Sequence, residues 1–579
     1  MSGFVVSPYD RQRYIGSVCL VRPAVVEVNL PLATRPGSAH VAGYSMQRGQ
    51  VGEFVIIEGE EHAVLGRMIE TRLPERDRLS VEPMRERNEP ANPVGVVQLL
   101  TSVDLATGVP LCGIPVAPRI GQHIFSAHPL IVKQIVESNM TPEHKRIRLA
   151  TFPHANDTAV SFSPSQLLGR HCAVLGSTGG GKSWTLALLI EEIARLGGKA
   201  ILLDATGEFH TQNIPGVTHV HLGGRKANAD DPRRFLSFPY WQLTDSDLFV
   251  LLRPSPGVQT PKLKEALKSL KLASLAPELA RDGLVRKAGQ AKQAFEEASV
   301  RHAIALSQPG QYFDIRMLAG QVWEECVYPT GYGAQGVGLW GAATPNEQSA
   351  CVTLLSRIES ELSSPSLSCL FSPDGLEPLP TVLQNFLNDP RQRILRVSLE
   401  YLSFEHHARE VVANAVGRYL LSLARAGQFQ QMPTVVLIDE AHQFLDKSVG
   451  DEFARTDLDA FGLIAKEGRK YALTCVLATQ RPRDIPEDVL SQMGMFIVHR
   501  LINERDRQVV EKACGDLDVS AARFLPTLGQ GEAMVVGVGA PMPLPVSVRR
   551  PMTPPASRSA DFEGRWGMEN PSLEERTSK

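Results

Sequence analysis

Gly176-Ser177-Thr178-Gly179-Gly180-Gly181-Lys182-Ser183 is the stretch that decides how this chain folds. It fits G-x-x-x-x-G-K-[ST] at every fixed position. An apolar run, Cys172 to Leu175, leads into it. A helix-like run leads out, from Ser183 to about Leu196, and stops at Gly197-Gly198, a pair suited to a helix C-cap. The glycines allow positive φ, so that successive backbone N–H groups turn inward on a phosphate. The helix N-terminus adds its positive end. In that setting Lys182 reaches the β- and γ-phosphates and the Ser183 hydroxyl ligates Mg²⁺. Gly176, Ser177, Thr178, Gly179, Gly180, Gly181, Lys182, Ser183 and the adjoining Trp184 are therefore the expected contacts of ATP.

Moving outward, Thr434 to Ile438 is a second fully apolar run, and it ends in Asp439-Glu440. Beside a phosphate loop, Asp439 is expected on the Mg²⁺ side, while Glu440 orients and polarises the attacking water. The bland alternative is a strand followed by an N-capping Asp. Ala472 to Thr479 is a third such run, followed by Gln480-Arg481-Pro482. Strand C-terminal ends are where open α/β sheets keep their ligands, so Gln480 is a candidate γ-phosphate sensor. Just before that run stands Gly468-Arg469-Lys470. Gly468 reads as a C-cap, and Arg469 is either an arginine finger or a basic residue favoured by the helix dipole. His442 reads as a supporting residue and not as a metal ligand.

The wider chain agrees with an α/β reading. From about Ser161, strand-like runs (also Ala200–Asp204, Ile394–Leu399, Phe496–Leu501 and Ala533–Val536) alternate with helix-like runs. Most are apolar throughout, as a mostly parallel sheet covered on both faces requires. The front of the chain differs. Val18–Val28, Phe54–Glu58, Ala63–Ile69 and Val94–Leu100 are short strand candidates punctuated by Gly and Pro, the texture of a small β-barrel or sandwich. Leu251 to Trp340 reads as an amphipathic helical insertion rich in lysine. The expected plan is a barrel over 1–120, a core over 121–250 and 341–550, a helical insertion over 251–340 and a disordered tail over 551–579.

Composition narrows the function classes. Of 579 residues, 60 are Lys or Arg and 63 are Asp or Glu, a net charge of −3 that excludes a basic coat over the whole surface. Eight scattered cysteines form no C-x-x-C pair, so neither a zinc site nor a disulfide framework is expected. No apolar run reaches membrane-spanning length. Met1 to Arg13 lacks a signal-peptide core, so a cytoplasmic protein is expected. No nuclease constellation stands out, and aromatic content is only 6%, against base stacking as a mode of nucleic-acid binding.

Together with the phosphate loop, four further segments resemble the HerA family of ATP-driven DNA translocases, in the HerA–FtsK branch of RecA-like motors. They are Leu202-Leu203-Asp204-Ala205-Thr206-Gly207-Glu208-Phe209, Leu437-Ile438-Asp439-Glu440-Ala441-His442, Glu467-Gly468-Arg469-Lys470-Tyr471 and Ala478-Thr479-Gln480-Arg481-Pro482, and the likeness continues through Leu528-Gly529-Gln530-Gly531-Glu532-Ala533. The acidic signature reads Asp-Ala-Thr-Gly-Glu where the family more often has Pro-His in the middle. The resemblance implies a RecA-like P-loop ATPase core with an N-terminal barrel. It implies roles for Asp204 and Glu208 near the nucleotide or a neighbouring subunit, and for Arg170 and Arg469 across a subunit boundary. It also implies a homo-oligomer, a hexameric ring with DNA through its central pore. The effector it implies is a NurA-like nuclease in DNA end processing, or a nuclease or sirtuin-like enzyme in phage defence. A ring suits the physics, because a finger supplied in trans couples hydrolysis to subunit movement. Lumen contacts would then be to phosphates, with Lys262, Lys264, Lys268 and Lys271 as candidates. The competing expectation is a ring scaffold, stabilised by ATP, that activates a partner enzyme without translocating.

Overall fold

The computed structural model describes residues 4–31, 39–41, 44–46, 49–73, 92–111, 113–141, 143–153, 155–224, 230–332, 336–373, 375–445, 448–450, 455–515, 517 and 519–556. The front of the chain is a closed antiparallel barrel. Its strands run Val25–Asn29, Tyr14–Val21, His123–Ser126, Phe54–Ile57, His62–Arg72 and Val94–Asp104 in spatial order, and pairing of the last with Val25–Asn29 closes it. The expected single strand Val18–Val28 is a hairpin instead, with Arg22 N donating to Val25 O across the bend. Pro23 explains the break, since it has no N–H to give to a ladder. The closing strand His123–Ser126 lies just beyond residue 120. Val26, Val28, Val55, Ile57, Val97 and Ile124 fill the interior, and closure pairs each of these six strands on both sides.

The core is one mixed sheet of thirteen strands among the described residues. In spatial order its centre runs Met493–His499, His171–Leu175, Leu473–Thr479, Thr434–Ile438, Lys199–Asp204, Ile394–Tyr401 and Val217–Gly223, all parallel. Glu532–Gly537, Leu544–Val548 and the hairpin Ile147–Phe152 and Ala155–Phe162 extend one side antiparallel. Two large apolar clusters cover the two faces. One holds Ile201, Leu203, Val436 and Leu477; the other holds Leu202, Leu437, Val476 and Ala478. Consecutive residues of a strand point to opposite faces, so strands buried on both sides must be apolar throughout. Each buried Val, Leu or Ile contributes about 1.5–3 kcal/mol.

Helix Lys182–Arg195 follows the phosphate loop and ends at Gly197, φ +77°, with Gly198 N donating to Ile193 O. The insertion carries helices Gln259–Leu275, Gln293–Arg301, Ala303–Ser307 and Leu318–Glu324, the middle two separated only by His302, and helix Pro345–Ser363 continues it past 340. Residues 551–556, expected as the start of a disordered tail, are instead hydrogen-bonded to the core. Met552 N and Thr553 N donate to Glu191, and Ala556 N donates to Glu208 O. The remainder of that expected tail, 557–579, lies outside the described residues.

Candidate nucleotide site

Four adjacent parallel strands deliver their C-terminal ends to one edge of the sheet. They carry Gly176, Gln480, Asp439-Glu440 and Asp204 in spatial order. The phosphate loop is held from behind by the next strand over. Ser177 N and Oγ both donate to Arg500 O, at 3.0 and 2.8 Å. His499 packs beneath the glycines: a Cβ on Gly176 would lie 2.6 Å from His499 Cβ, and one on Gly181 3.0 Å from its ring. His499 Nδ1 donates to Glu532 O (2.9 Å), which leaves Nε2 to accept from Thr185 Oγ1 (2.8 Å). Burial holds this imidazole down to about 4. Gly531 N donates to Gly180 O, closing the rear of the loop.

Lys182 is almost fully buried, and its Nζ donates to Ser177 O at 3.3 Å. Burial lowers its pKa, opposed by the nearby charges of Glu440, Asp439 and Glu208. Asp439 is driven well above the usual carboxylate range, first by burial and then by Asp204, Glu440 and Glu208. Glu208 is also raised by burial, while a hydrogen bond with the Ser183 hydroxyl pulls the other way. Crowded carboxylates beside one ammonium form a site poised for added positive charge. Among the described residues no three His, Cys, Asp or Glu side chains converge as a metal cluster. The donor set fits a cation held by a hydroxyl, a carboxylate, water and phosphate better than a closed protein cage.

Glu440 adopts φ +46°, ψ +47°, a left-handed conformation unusual for a non-glycine residue. Such strain costs about 1–3 kcal/mol and gathers at functional sites. His442 Nδ1 stands 3.2 Å from Glu440 Oε2 and 3.1 Å from Thr479 Oγ1, so the expected supporting histidine reaches the expected base. Gln480 Oε1 accepts from Thr178 Oγ1 at 2.6 Å. Thr206 Oγ1 donates to Asp439 Oδ2 at 3.4 Å. Asp204, expected near nucleotide, is fully buried. It accepts from Gly207 N, Phe209 N and the Arg396 guanidinium, so its oxygens are turned to its own loop.

Arg170 and Arg469 do not join this site. Each precedes its strand, His171–Leu175 or Leu473–Thr479, and these strands are parallel neighbours. Both arginines are exposed at the opposite edge, with strands of five and seven residues, roughly 16 and 23 Å at about 3.3 Å per residue, between them and the C-terminal ends. They stand together: the Arg469 charge adds to burial in holding His171 down to about 4. Gly494 makes room for Arg170, whose Cβ would lie 2.3 Å from a Cβ placed there. Gly468 is the C-cap of helix Ala460–Glu467, as expected, and its N–H donates to Ile464 O. Its φ is −55°, and the left-handed position falls four residues later, at Ala472 (φ +59°). Space also requires glycine at 468, because a Cβ would meet Leu473 O at 2.7 Å.

Trp184 is half-exposed, and the Arg550 guanidinium lies 5.9 Å from its ring centroid. In the insertion, Lys262 pairs with Glu347 and Lys271 with Asp245, each at 2.8 Å. Lys264 and Lys268 line a groove with Val300 and Ala303. His499 and Arg396 were not legible as site residues, because neither belongs to a contiguous motif; Thr206 stands within the acidic signature, but nothing in its residue type marked it as a partner of Asp439.

Residues 147–299 match the family profile "Helicase HerA, central domain", and residues 420–564 match "Helicase HerA-like C-terminal". The chain is 23% identical over 441 residues to a DNA double-strand break repair helicase HerA of Pyrococcus furiosus, covering 74% of this chain and 73% of the relative. It is 22% identical over 544 residues to a probable helicase of Methanocaldococcus jannaschii, covering 91% and 89%. Among solved structures it is similar to VirB4 of Thermoanaerobacter pseudethanolicus (TM-score 0.43, 13% identity, 74% of this chain and 99% of the other). No described helix is long and apolar enough to cross a membrane.

Proposed function

The chain belongs to the HerA family of P-loop ATPases, and we propose that it is an ATP-driven DNA translocase that works as a ring of its own copies with a separate effector. The observation that carries this reading is the division of the sheet. Loop, paired acids and Gln480 share one edge, while Arg170 and Arg469 share the other. An arginine there cannot reach its own loop, but it can reach that of a copy stacked head to tail.

In this reading the loop N–H groups and Lys182 take the triphosphate. Ser183 and Asp439 hold Mg²⁺, which when bound neutralises phosphate charge. Glu440 accepts a proton from the attacking water, with the His442 ring 3.2 Å from its carboxylate. Gln480, its carbonyl occupied by Thr178, turns its amide N–H₂ to the γ-phosphate. Arg469, Arg170 or both complete the site of the next copy. The relatives described as DNA double-strand break repair helicases support DNA as the moved polymer. Contacts to it would be to phosphate, sequence-independent and weakened by salt, with Lys264 and Lys268 as the pore candidates less committed to ion pairs than Lys262 and Lys271. A hexamer, the barrel as docking platform, and a nuclease or sirtuin-like effector in end processing or antiviral defence complete the proposal.

The test is ATP turnover with and without double-stranded ends. Glu440→Gln should bind ATP yet hydrolyse about 100-fold slower or worse, and Lys182→Ala should lose both. A Glu440→Gln enzyme as fast as the parent would remove Glu440 from the role. Full effector activation by Lys182→Ala would favour the scaffold.

A further inference from the structure

The acidic loop Asp204-Ala205-Thr206-Gly207-Glu208-Phe209 is gripped from below by two arginines that no motif singles out. Arg396 is 1% exposed and Asp204 is 0% exposed. Arg396 Nε donates to Asp204 Oδ2 at 2.6 Å, and Nη2 donates to Gly207 O at 3.1 Å. Asp204 in turn accepts from Gly207 N (2.8 Å) and Phe209 N (3.1 Å). Arg409, also buried, donates through Nη1 to Ala205 O at 3.1 Å. Asp204, Ala205, Gly207 and Phe209 are thus all pinned inward. The residues between, Thr206 and Glu208, face Asp439 and Ser183. Gly207 has φ +84°, and a Cβ there would lie 1.8 Å from Glu400 Oε2, so the loop has little room to relax.

We propose that Arg396, seconded by Arg409, is a positioning residue for catalysis: it locks the acidic loop so that Glu208 meets the Ser183 hydroxyl and Thr206 meets Asp439. The inference rests on the reading of this edge as the ATP-hydrolysing site. A buried pair that served stability alone is often replaced without loss by apolar packing. Here two guanidinium nitrogens are committed to one short loop, while Nη1 is buried without a hydrogen-bond partner among the described residues. The guanidinium sits where the loop needs it, not where its own hydrogen bonds are best satisfied.

A mutant cycle tests this in the full chain. Arg396→Met should lower kcat about 10- to 100-fold, as losses of outer supporting contacts do, and raise the Mg²⁺ concentration for half-maximal rate. Binding of fluorescent ADP without Mg²⁺ should stay within about twofold, since Glu208 is reached through the cation side. Combined with Glu208→Gln, the double variant should be no slower than the worse single variant. Losses that multiply, or an unchanged kcat in folded Arg396→Met, overturn the proposal. If Arg396→Met does not fold, the same cycle is run with Arg396→Lys, which keeps the charge but not the two-point grip. An unaffected Glu208→Gln also overturns it. The ATPase reading itself fails separately, if Lys182→Ala hydrolyses ATP like the parent.

Discussion

Thr178 in the phosphate loop and Gln480 at the end of the neighbouring strand share a 2.6 Å hydrogen bond, hydroxyl to amide carbonyl. The bond fixes which end of the amide faces the ligand: with Oε1 occupied, the N–H₂ group is left for phosphate oxygen. Gln480→Ala should therefore retain ATP binding and lose about 10²-fold in kcat. Thr178→Val should lose less, because the amide remains but is free to flip. Single-turnover hydrolysis beside equilibrium binding separates these effects, and equal losses in both variants would refute the orienting role of Thr178.

The buried imidazoles set a pH window for stability. His499, His171 and His221 are each held down to about 4, chiefly by burial. In the unfolded chain they titrate near 6.5, so between about pH 6.5 and 4 the unfolded state binds more protons. Stability is thus complete above about 6.5 and declines as pH falls through the window. His499, wholly buried, accounts for up to about 3 kcal/mol of that loss. Thermal melts at pH 7.5 and 5.0 should show the drop, and His499→Gln should flatten it. A melting temperature independent of pH over this range would contradict the buried neutral state.

Much of this site could be read before any coordinates. The loop, Asp439-Glu440 and Gln480 are contiguous motifs at strand ends, where spacing alone sets their place. The parallel strands were legible because burial on both faces leaves them apolar throughout. Arg396 and His499 were not, because their partners lie 192 and 314 residues away in sequence. The hairpin Ile147–Phe152 and Ala155–Phe162 carries no such signal: Ala155–Phe162 is the last strand of the sheet on its side, with one ladder free, and Ile147–Phe152 is antiparallel to both neighbours, away from the parallel centre. Polar, proline-rich residues 551–556 resembled a tail because their order comes from core partners such as Glu191 and Gln212.

That strap gives a further expectation. Thr553 reaches Glu191 through N and Oγ1, Thr211 Oγ1 donates to Pro554 O, and Ala556 N caps Glu208 O. At about 0.5–1.5 kcal/mol per bond, ending the chain after Arg550 should cost about 2–6 kcal/mol. It should also loosen Glu208, so kcat should fall along with the melting temperature. A truncated protein with both values unchanged would show that the strap is dispensable.

The two exposed arginines invite a mixing experiment. Arg469→Ala and Lys182→Ala should each be inactive alone, the first for lack of a finger, the second for lack of a phosphate grip. In mixed rings, a site made from the loop of an Arg469→Ala subunit and the arginine of a Lys182→Ala subunit is intact. Random mixing in equal parts makes about a quarter of the interfaces complete in a head-to-tail ring, so activity should return to a comparable fraction. If the arginine acted within its own subunit, no subunit would carry both parts and nothing would return. Arg170→Ala treated the same way tells whether one arginine or both cross the boundary, since a structural role for Arg170 against Gly494 would lower activity without any rescue in the mixture.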